Sequence, residues 1–304
     1  MKVKIWGARG SIPAPGPETI RFGGNTSCLQ VTLDDGCTIV LDAGTGIRSL
    51  GLALEPPSEQ PINILLTHLH LDHIQGLMFF APMFDPRSQV LVWGPAAADA
   101  PLEDRIARYI SAPLSPVEVR ELPCHPSFRE AEATEWRLGS ATIRAAPVSH
   151  RGPTLGYRID ADGASLCYIP DHEPGLGGPL PDLDEEWISG FELANRASLL
   201  IHDCQYTDAE YPNHVGWGHS PLSDALTFAD RTDVERVLLF HHDPLHSDDF
   251  LERLAGEVAG RVGELGRSAQ WASFAVERDE VVPPRSGSVR GAPDAGASPV
   301  FVDE

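Results

Sequence analysis

Short apolar runs bounded by glycine, proline or acidic residues recur along the chain, at 3–6, 29–33, 38–42, 62–66, 90–93, 117–122, 141–148, 157–159, 165–169, 198–202, 234–240 and 270–276. Runs of this kind predict strands. The pair at 29–33 and 38–42 reads as a hairpin around Asp34-Asp35-Gly36, with Gly36 in the left-handed position. Stretches with helical spacing lie at 74–80, stopped by Pro82, and at 102–110, with Pro101 in the first turn. Others lie at 183–194, 221–230 and 250–262. The first half is thus rich in strands, and strands alternate with helices in the second. Periodicity alone predicts a mixed α/β (α+β) fold. No short-period repeat is present. Beyond about residue 283 bulky apolar residues become sparse, so 283–304 is expected to be a disordered tail.

Composition sharpens this picture in two ways. Lys+Arg 23 against Asp+Glu 44 gives a net charge of −21 over 304 residues, and no basic cluster stands out. Such a field repels nucleic-acid backbones, which weighs against a large nucleic-acid partner. The five cysteines, Cys28, Cys37, Cys124, Cys167 and Cys204, are scattered, odd in number and without C-x-x-C pairing. That usage fits a reducing compartment, the cytoplasm. The opening Met1-Lys2-Val3-Lys4 is too polar for a signal peptide, and no apolar run reaches the roughly 18 residues a membrane span needs.

The densest chemistry follows the strand at 62–66: His68-Leu69-His70-Leu71-Asp72-His73. In extended backbone, residues two apart face the same way, so His68 and His70 can share one ion. Asp72 and His73 are adjacent and diverge, so they can reach a second. A hydroxide held between two ions about 3.5–4 Å apart is a strong nucleophile at neutral pH. Further potential ligands, His150, Asp171-His172, His202-Asp203 and His241-His242, also sit just after predicted strands, where loops at one rim of a sheet converge.

The 68–77 stretch resembles the signature of metallo-β-lactamase-fold hydrolases. Paired segments at 199–204 and Gly216-Trp217-Gly218-His219-Ser220 resemble motifs of the tRNase Z and cyclic-nucleotide phosphodiesterase branch. The resemblance covers roughly residues 1–276 and implies a four-layer αββα sandwich, one hydrolase domain over 1–280. It implies His68, His70 and His150 on one ion and Asp72, His73 and His241 on the other, with Asp171 bridging. His241 is favoured over its neighbour His242 because the motif places the ligand three positions before Pro244. His172 is expected to point away. Asp42, in Asp42-Ala43-Gly44-Thr45-Gly46, is expected to orient the ligand loop. The catalytic set is Asp72, His219 as general acid and Asp203 as its orienter. Asp203 is shorter than the Glu usual in that motif, and Pro221 replaces Thr. His70 stands where diiron oxygen-chemistry members carry Glu, so the implied cofactors are two divalent ions, zinc ahead of Mn2+ or Fe2+. His125, His214 and His246 are given no role, and Trp93 and Trp217 are read as packing residues.

Only 21 positions separate His150 from Asp171, too few for the long arm that grips tRNA in the tRNase Z family. The 70 positions from Asp171 to His241 are too few for the extra domain of RNase J-type enzymes. The leading expectation is a phosphodiesterase acting on a small or cyclic phosphodiester. The alternatives are a tRNA 3′-end endoribonuclease, a lactonase, or a metal-containing nucleotide-binding protein without turnover. A homodimer is left open.

Overall fold

The apolar runs pair into two seven-stranded sheets. The computed structural model describes residues 1–54, 60–131, 134–176 and 178–285. The expected tail therefore lies outside the described residues from position 286 onward.

In space, the first sheet runs β14 (Glu280–Val281), β1 (Lys2–Gly7), β2 (Cys28–Thr32), β3 (Thr38–Leu41), β4 (Ile62–Leu65), β5 (Val90–Pro95) and β6 (Ser127–Ala131). The second runs β13 (Ala272–Phe274), β12 (Val237–Phe240), β11 (Leu199–Asp203), β10 (Ala164–Ile169), β9 (Leu155–Ala161), β8 (Ala141–Pro147) and β7 (Glu135–Leu138). Val3, Ile5, Leu29 and Leu41 from the first sheet pack with Ile159, Leu166, Ile201 and Phe240 from the second in one buried cluster. On the outer face of the first sheet, Val40, Ile64 and Val92 pack under α1 (Gly46–Ala53) and α3 (Leu102–Ala107). On the outer face of the second, Leu200, Val237 and Leu239 meet α4 (Phe191–Ala194), α5 (Leu222–Arg231) and α6 (Asp248–Glu264). The molecule is a four-layer αββα sandwich.

This arrangement explains the unbroken apolar runs. In β11 and β12 alternate residues feed the two clusters: Leu199 and Ile201 face the other sheet, whereas Leu200 faces the helices. Strands covered on both faces carry no polar alternation. α5 shows the complementary pattern, burying Leu222, Ala225, Leu226 and Ala229 at spacings of three and four. α6 starts at Asp248, two residues earlier than its periodicity predicts, because the Ser247 hydroxyl accepts the Phe250 N–H at 3.3 Å.

Strand direction sets the site. β3 and β4 are parallel, as are β10, β11 and β12. β8 and β10 both run antiparallel to β9, and β1 and β3 both run antiparallel to β2. The C-terminal ends of β1, β3, β4, β8, β10, β11 and β12 therefore open on one rim.

Three predicted elements differ. Residues 117–122 form a single 3-10 turn at Val119–Glu121, not a strand. A reciprocal Glu118–Glu121 cap closes it, and Pro116 and Pro123 flank it, so local hydrogen bonding outweighs the two valines. The stretch 183–194 is one 3-10 turn, Glu185–Trp187, followed by the short α4. Gly190, left-handed at φ 72°, breaks the path. The expected helix at 74–80 is instead α2 (Leu71–Ile74) and a 3-10 turn at Leu77–Phe79. Between them the Gly76 N–H donates to the Ala43 carbonyl instead of continuing a helix. Pro82 does not stop a helix; it sits inside the next turn, Ala81–Phe84.

Candidate metal centre and its proton donor

Residues from both sheets meet on the shared rim. His68 and His70 follow β4, Asp72 and His73 lie in α2, His150 follows β8, Asp171 follows β10 and His241 follows β12. Their ligand atoms fall into close groups: His68, His70, His150 and Asp171, then Asp72, His73 and His241, each within 4.8 Å. A third group, Asp171, His219 and His241, overlaps them. All the residues named from sequence as ligands are thus brought together.

Asp171 stands between the two sets. Its Oδ1 lies 3.0 Å from His73 Nε2 and 3.3 Å from His241 Nε2, while Oδ2 lies 3.6 Å from both His68 Nε2 and His150 Nε2. Each carboxylate oxygen therefore faces a different set.

The ring nitrogens are fixed from behind. The His73 Nδ1–H donates to Asp42 Oδ2 at 2.8 Å, that of His150 to the Gly218 carbonyl at 2.7 Å, and that of His241 to Gln205 Oε1 at 3.0 Å. His68 Nδ1 lies 3.1 Å from Thr67 Oγ1, whose own hydroxyl donates to Asp42 Oδ2 at 2.9 Å. The bond at Nδ1 turns each Nε2 toward the cluster, where the neutral ring offers a lone pair to a cation. His70 instead points Nδ1 inward, 3.2 Å from His150 Nε2. Buried His68 Nε2 and Asp171 Oδ1 have no hydrogen-bond partner. Orphaned buried atoms among converging imidazole nitrogens and carboxylate oxygens fit cations. Three to four such atoms per group suit the coordination of zinc and its neighbours in the first transition row.

Titration follows the same logic. Burial opposes charge on His73 most strongly, yet Asp171, Asp72 and Asp42 outweigh it and hold that imidazole well above its usual range. Burial also pushes the Asp171 carboxyl upward, but His241, His73 and His68 bring it well below the ordinary carboxylate range. Burial, then His73, lowers His68. The cluster holds its carboxylates ionised and attracts positive charge.

Asp42 receives four donors: Thr67 N–H at 2.7 Å, Thr67 hydroxyl, His73 Nδ1–H and the Tyr168 hydroxyl at 2.9 Å. Asp42 and His241 both hold positive φ, 57° and 62°, a conformation that costs energy in non-glycine residues and recurs at functional sites. His242 turns the other way and bonds the Ala275 carbonyl at 2.8 Å. His172 also turns away: its Nδ1 lies 2.9 Å from His202 Nε2, in the layer that includes Phe228.

His219 stacks on His241, with ring centroids 4.9 Å apart, and its Nδ1–H donates to Asp203 Oδ2 at 2.7 Å. Asp203, fully buried, also accepts backbone N–H groups of His172, Gln205 and Ser220. Burial opposes charge on His219, but Asp203, with Asp171 and Asp72, raises it to about 9. His219, Asp72, Asp171 and His241 line a pocket of about 440 Å³ together with Ser11, Leu69, His70 and Leu71. A second depression of equal volume lies around Gln30, Thr38, Ile62 and Gln89, but among the described residues no ligand set converges there.

Several site residues carry no sequence signal of their own. Ser11 donates its N–H to Asp72 Oδ2 at 2.7 Å, and Gln205, Thr67 and Tyr168 hold the ligands as described. Trp217 is 54% exposed, against the expectation of buried packing, whereas Trp93 stacks on Trp136 at 5.0 Å. His246, given no role, is buried and bonds Glu210 at 3.0 Å.

The comparisons agree with this geometry. A family model described as the Beta-lactamase superfamily domain matches residues 38–242. A ribonuclease Z of Mycobacterium marinum is 30% identical, covering 88% of this chain and 96% of that one. Human tRNase Z, short form, superposes with a TM-score of 0.62 at 19% identity, covering 93% of this chain and 100% of that one. A diphosphatase of the PhnP family gives a TM-score of 0.65 at 16% identity, covering 92% and 97%. The chain belongs to the beta-lactamase superfamily, in its ribonuclease Z branch, and is a metal-dependent hydrolase.

Proposed function

We propose that the protein is a dinuclear phosphodiesterase acting on a small or cyclic phosphodiester. The observation that carries this reading is the His219–Asp203 pair, set beside two groups of converging ligand atoms. His68, His70, His150 and Asp171 would hold one cation, and Asp72, His73, Asp171 and His241 the other, with zinc the best match and Mn2+ or Fe2+ the alternatives. Such ions supply an activated water and neutralise charge on the phosphoryl oxygens. The chain's own contribution is a proton at His219 Nε2, ready for the departing alkoxide. Asp203 fixes the ring by holding Nδ1–H and stabilises its charged form. Cations in the adjoining cage would lower the His219 value of about 9 toward neutrality, where an acid catalyst works best.

Two features favour a small substrate. The pocket lining contains no Lys or Arg to track a polyanion, and the whole chain carries −21. Between His150 and Asp171 the chain is occupied by the β9–β10 hairpin, closed by the two-residue turn Asp162-Gly163, which leaves no room for a tRNA-gripping arm. The relatives named ribonuclease Z favour the second reading, cleavage at a tRNA 3′ end. The five cysteines, none in a disulfide, support placement in the cytoplasm. Among the described residues no helix is long and apolar enough to cross a membrane.

Metal-loaded protein incubated with bis(p-nitrophenyl) phosphate, cyclic nucleotides, a simple lactone and precursor tRNA separates these readings. Turnover of a small diester with intact tRNA supports the first reading. Efficient, site-specific tRNA cleavage establishes the second. Lactone turnover alone, or binding of a cyclic nucleotide without turnover, overturns both.

A further inference from the structure

Glu173 lies two positions beyond Asp171 and is 1% exposed. Nothing about its place in the sequence marks it, yet its carboxylate takes three donors from one loop. Oε1 accepts the Tyr211 hydroxyl at 2.6 Å and the Gly216 N–H at 2.8 Å, and Oε2 accepts the Gly218 N–H at 2.8 Å. Its own N–H donates to the Ser149 carbonyl at 2.9 Å, beside His150. One residue thus ties the end of β8 to the loop that delivers His219.

The start of that loop is held by its own 3-10 turn at Tyr211–Asn213 and by the Trp217 N–H on the His214 carbonyl, whereas the N–H groups of Gly216 and Gly218 go to Glu173. Gly216 and Gly218 both have positive φ, 81° and 90°, so the path through them is one that glycine alone follows easily. At Gly218 the fit is closed as well: a Cβ there would lie 2.4 Å from His150 Nδ1. The same Gly218 that gives its N–H to Glu173 gives its carbonyl to His150 and immediately precedes His219. A shift of this peptide would move a ligand ring and the proton donor together. Ionised acceptors form stronger bonds than neutral ones, and a carboxylate can receive all three donors at once.

We infer that Glu173 is a positioning residue for proton delivery, its carboxylate fixing the 211–218 loop so that His219 faces the leaving oxygen and His150 faces the cluster. This rests on the reading of His219 as general acid. Tethering alone would stabilise the loop without affecting one substrate more than another, so the test must read leaving-group dependence.

Glu173→Gln places an amide NH2 or a single oxygen where the carboxylate served three donors, so at least one N–H loses its acceptor. Metal-loaded wild type, Glu173→Gln, Tyr211→Phe and His219→Ala are compared on methyl p-nitrophenyl phosphate and methyl phenyl phosphate. The second has the poorer leaving group and depends more on a donated proton. For Glu173→Gln the rate on the phenyl ester should fall about tenfold or more, and on the nitrophenyl ester less than about threefold. Metal content should match wild type. Tyr211→Phe, which removes one of the three bonds, should show the same selectivity at smaller size and decides the matter if Glu173→Gln folds poorly. Equal losses on both esters, or no loss on either, overturn the inference while leaving His219 in place. Equal rates of His219→Ala and wild type on the phenyl ester overturn the general-acid reading itself.

Discussion

Asp42 Oδ2 lies 2.8 Å from His73 Nδ1, and both residues are completely buried. The contact joins the end of β3 to α2 and turns His73 Nε2 toward Asp171. Outer partners of this kind typically contribute 10–100-fold to metal affinity. Asp42→Asn keeps the size of the side chain but offers only one acceptor oxygen to four donors. We expect metal affinity to fall by about 10–100-fold, measured by competition with a chromogenic chelator. Unchanged affinity would show that the ring needs no such partner.

Purified protein expressed with added zinc should carry about two transition-metal ions per chain. Elemental analysis finding none would remove the metal centre. Asp171→Ala should cost more than one ion, because the two oxygens of Asp171 face separate ligand sets. Loss of only one ion would argue against a shared carboxylate.

His219→Ala should retain both ions and lose about 10²–10⁴-fold in rate on a substrate with a poor leaving group. Asp203→Asn should give a smaller loss, since the ring remains but its orientation and charge are less well supported. Equal activity of all three proteins on an alkoxide-leaving diester would exclude this pair from the mechanism.

Asp224 sits in the first turn of α5, and burial, then Asp208 and Glu173, raise its carboxyl from 3.8 to about 6. The folded state therefore binds more protons than the unfolded chain between about pH 4 and 6, and stability falls as pH rises through that window. The group is partly exposed, so solvent screening leaves about 1 kcal/mol of the effect. Asp224→Asn removes it. Thermal unfolding at pH 4 and pH 7 should show wild type losing more stability than the variant between the two. Parallel changes in both proteins would refute the raised value.

The rim was legible because its chemistry lies in residue types that stand out at strand ends. His68, His70, Asp72 and His73 are dense enough to be noticed alone, and the apolar runs before Asp171 and His241 placed those two at strand ends. The supporting residues were hidden for a physical reason. Ser11, Gln205, Tyr168 and Glu173 act through neighbours far along the chain: Gln205 meets His241 across 36 positions and Glu173 meets Gly218 across 45. No local pattern marks such partners.

The misread elements share another cause. Valines at 117 and 119 suggest a strand, but the Glu118–Glu121 cap satisfies the backbone locally. The edge strands β6 and β7 escaped notice because their exposed faces break the apolar pattern, as in Ser127–Ala131, where only Ala131 is buried. The short β14 escaped too, although its register against β1 pairs Val281 with Val3.

His73 and His241 face one another at 3.4 Å across 168 positions of chain, one from each sheet. The second ligand set is therefore complete only after the two sheets have docked, so tight ion capture belongs at the end of folding. A bound cation would then act as a clasp across the interlayer seam. Chelation should loosen the sandwich first along that seam, and the rate of ion uptake during refolding would serve as a clock for its closure.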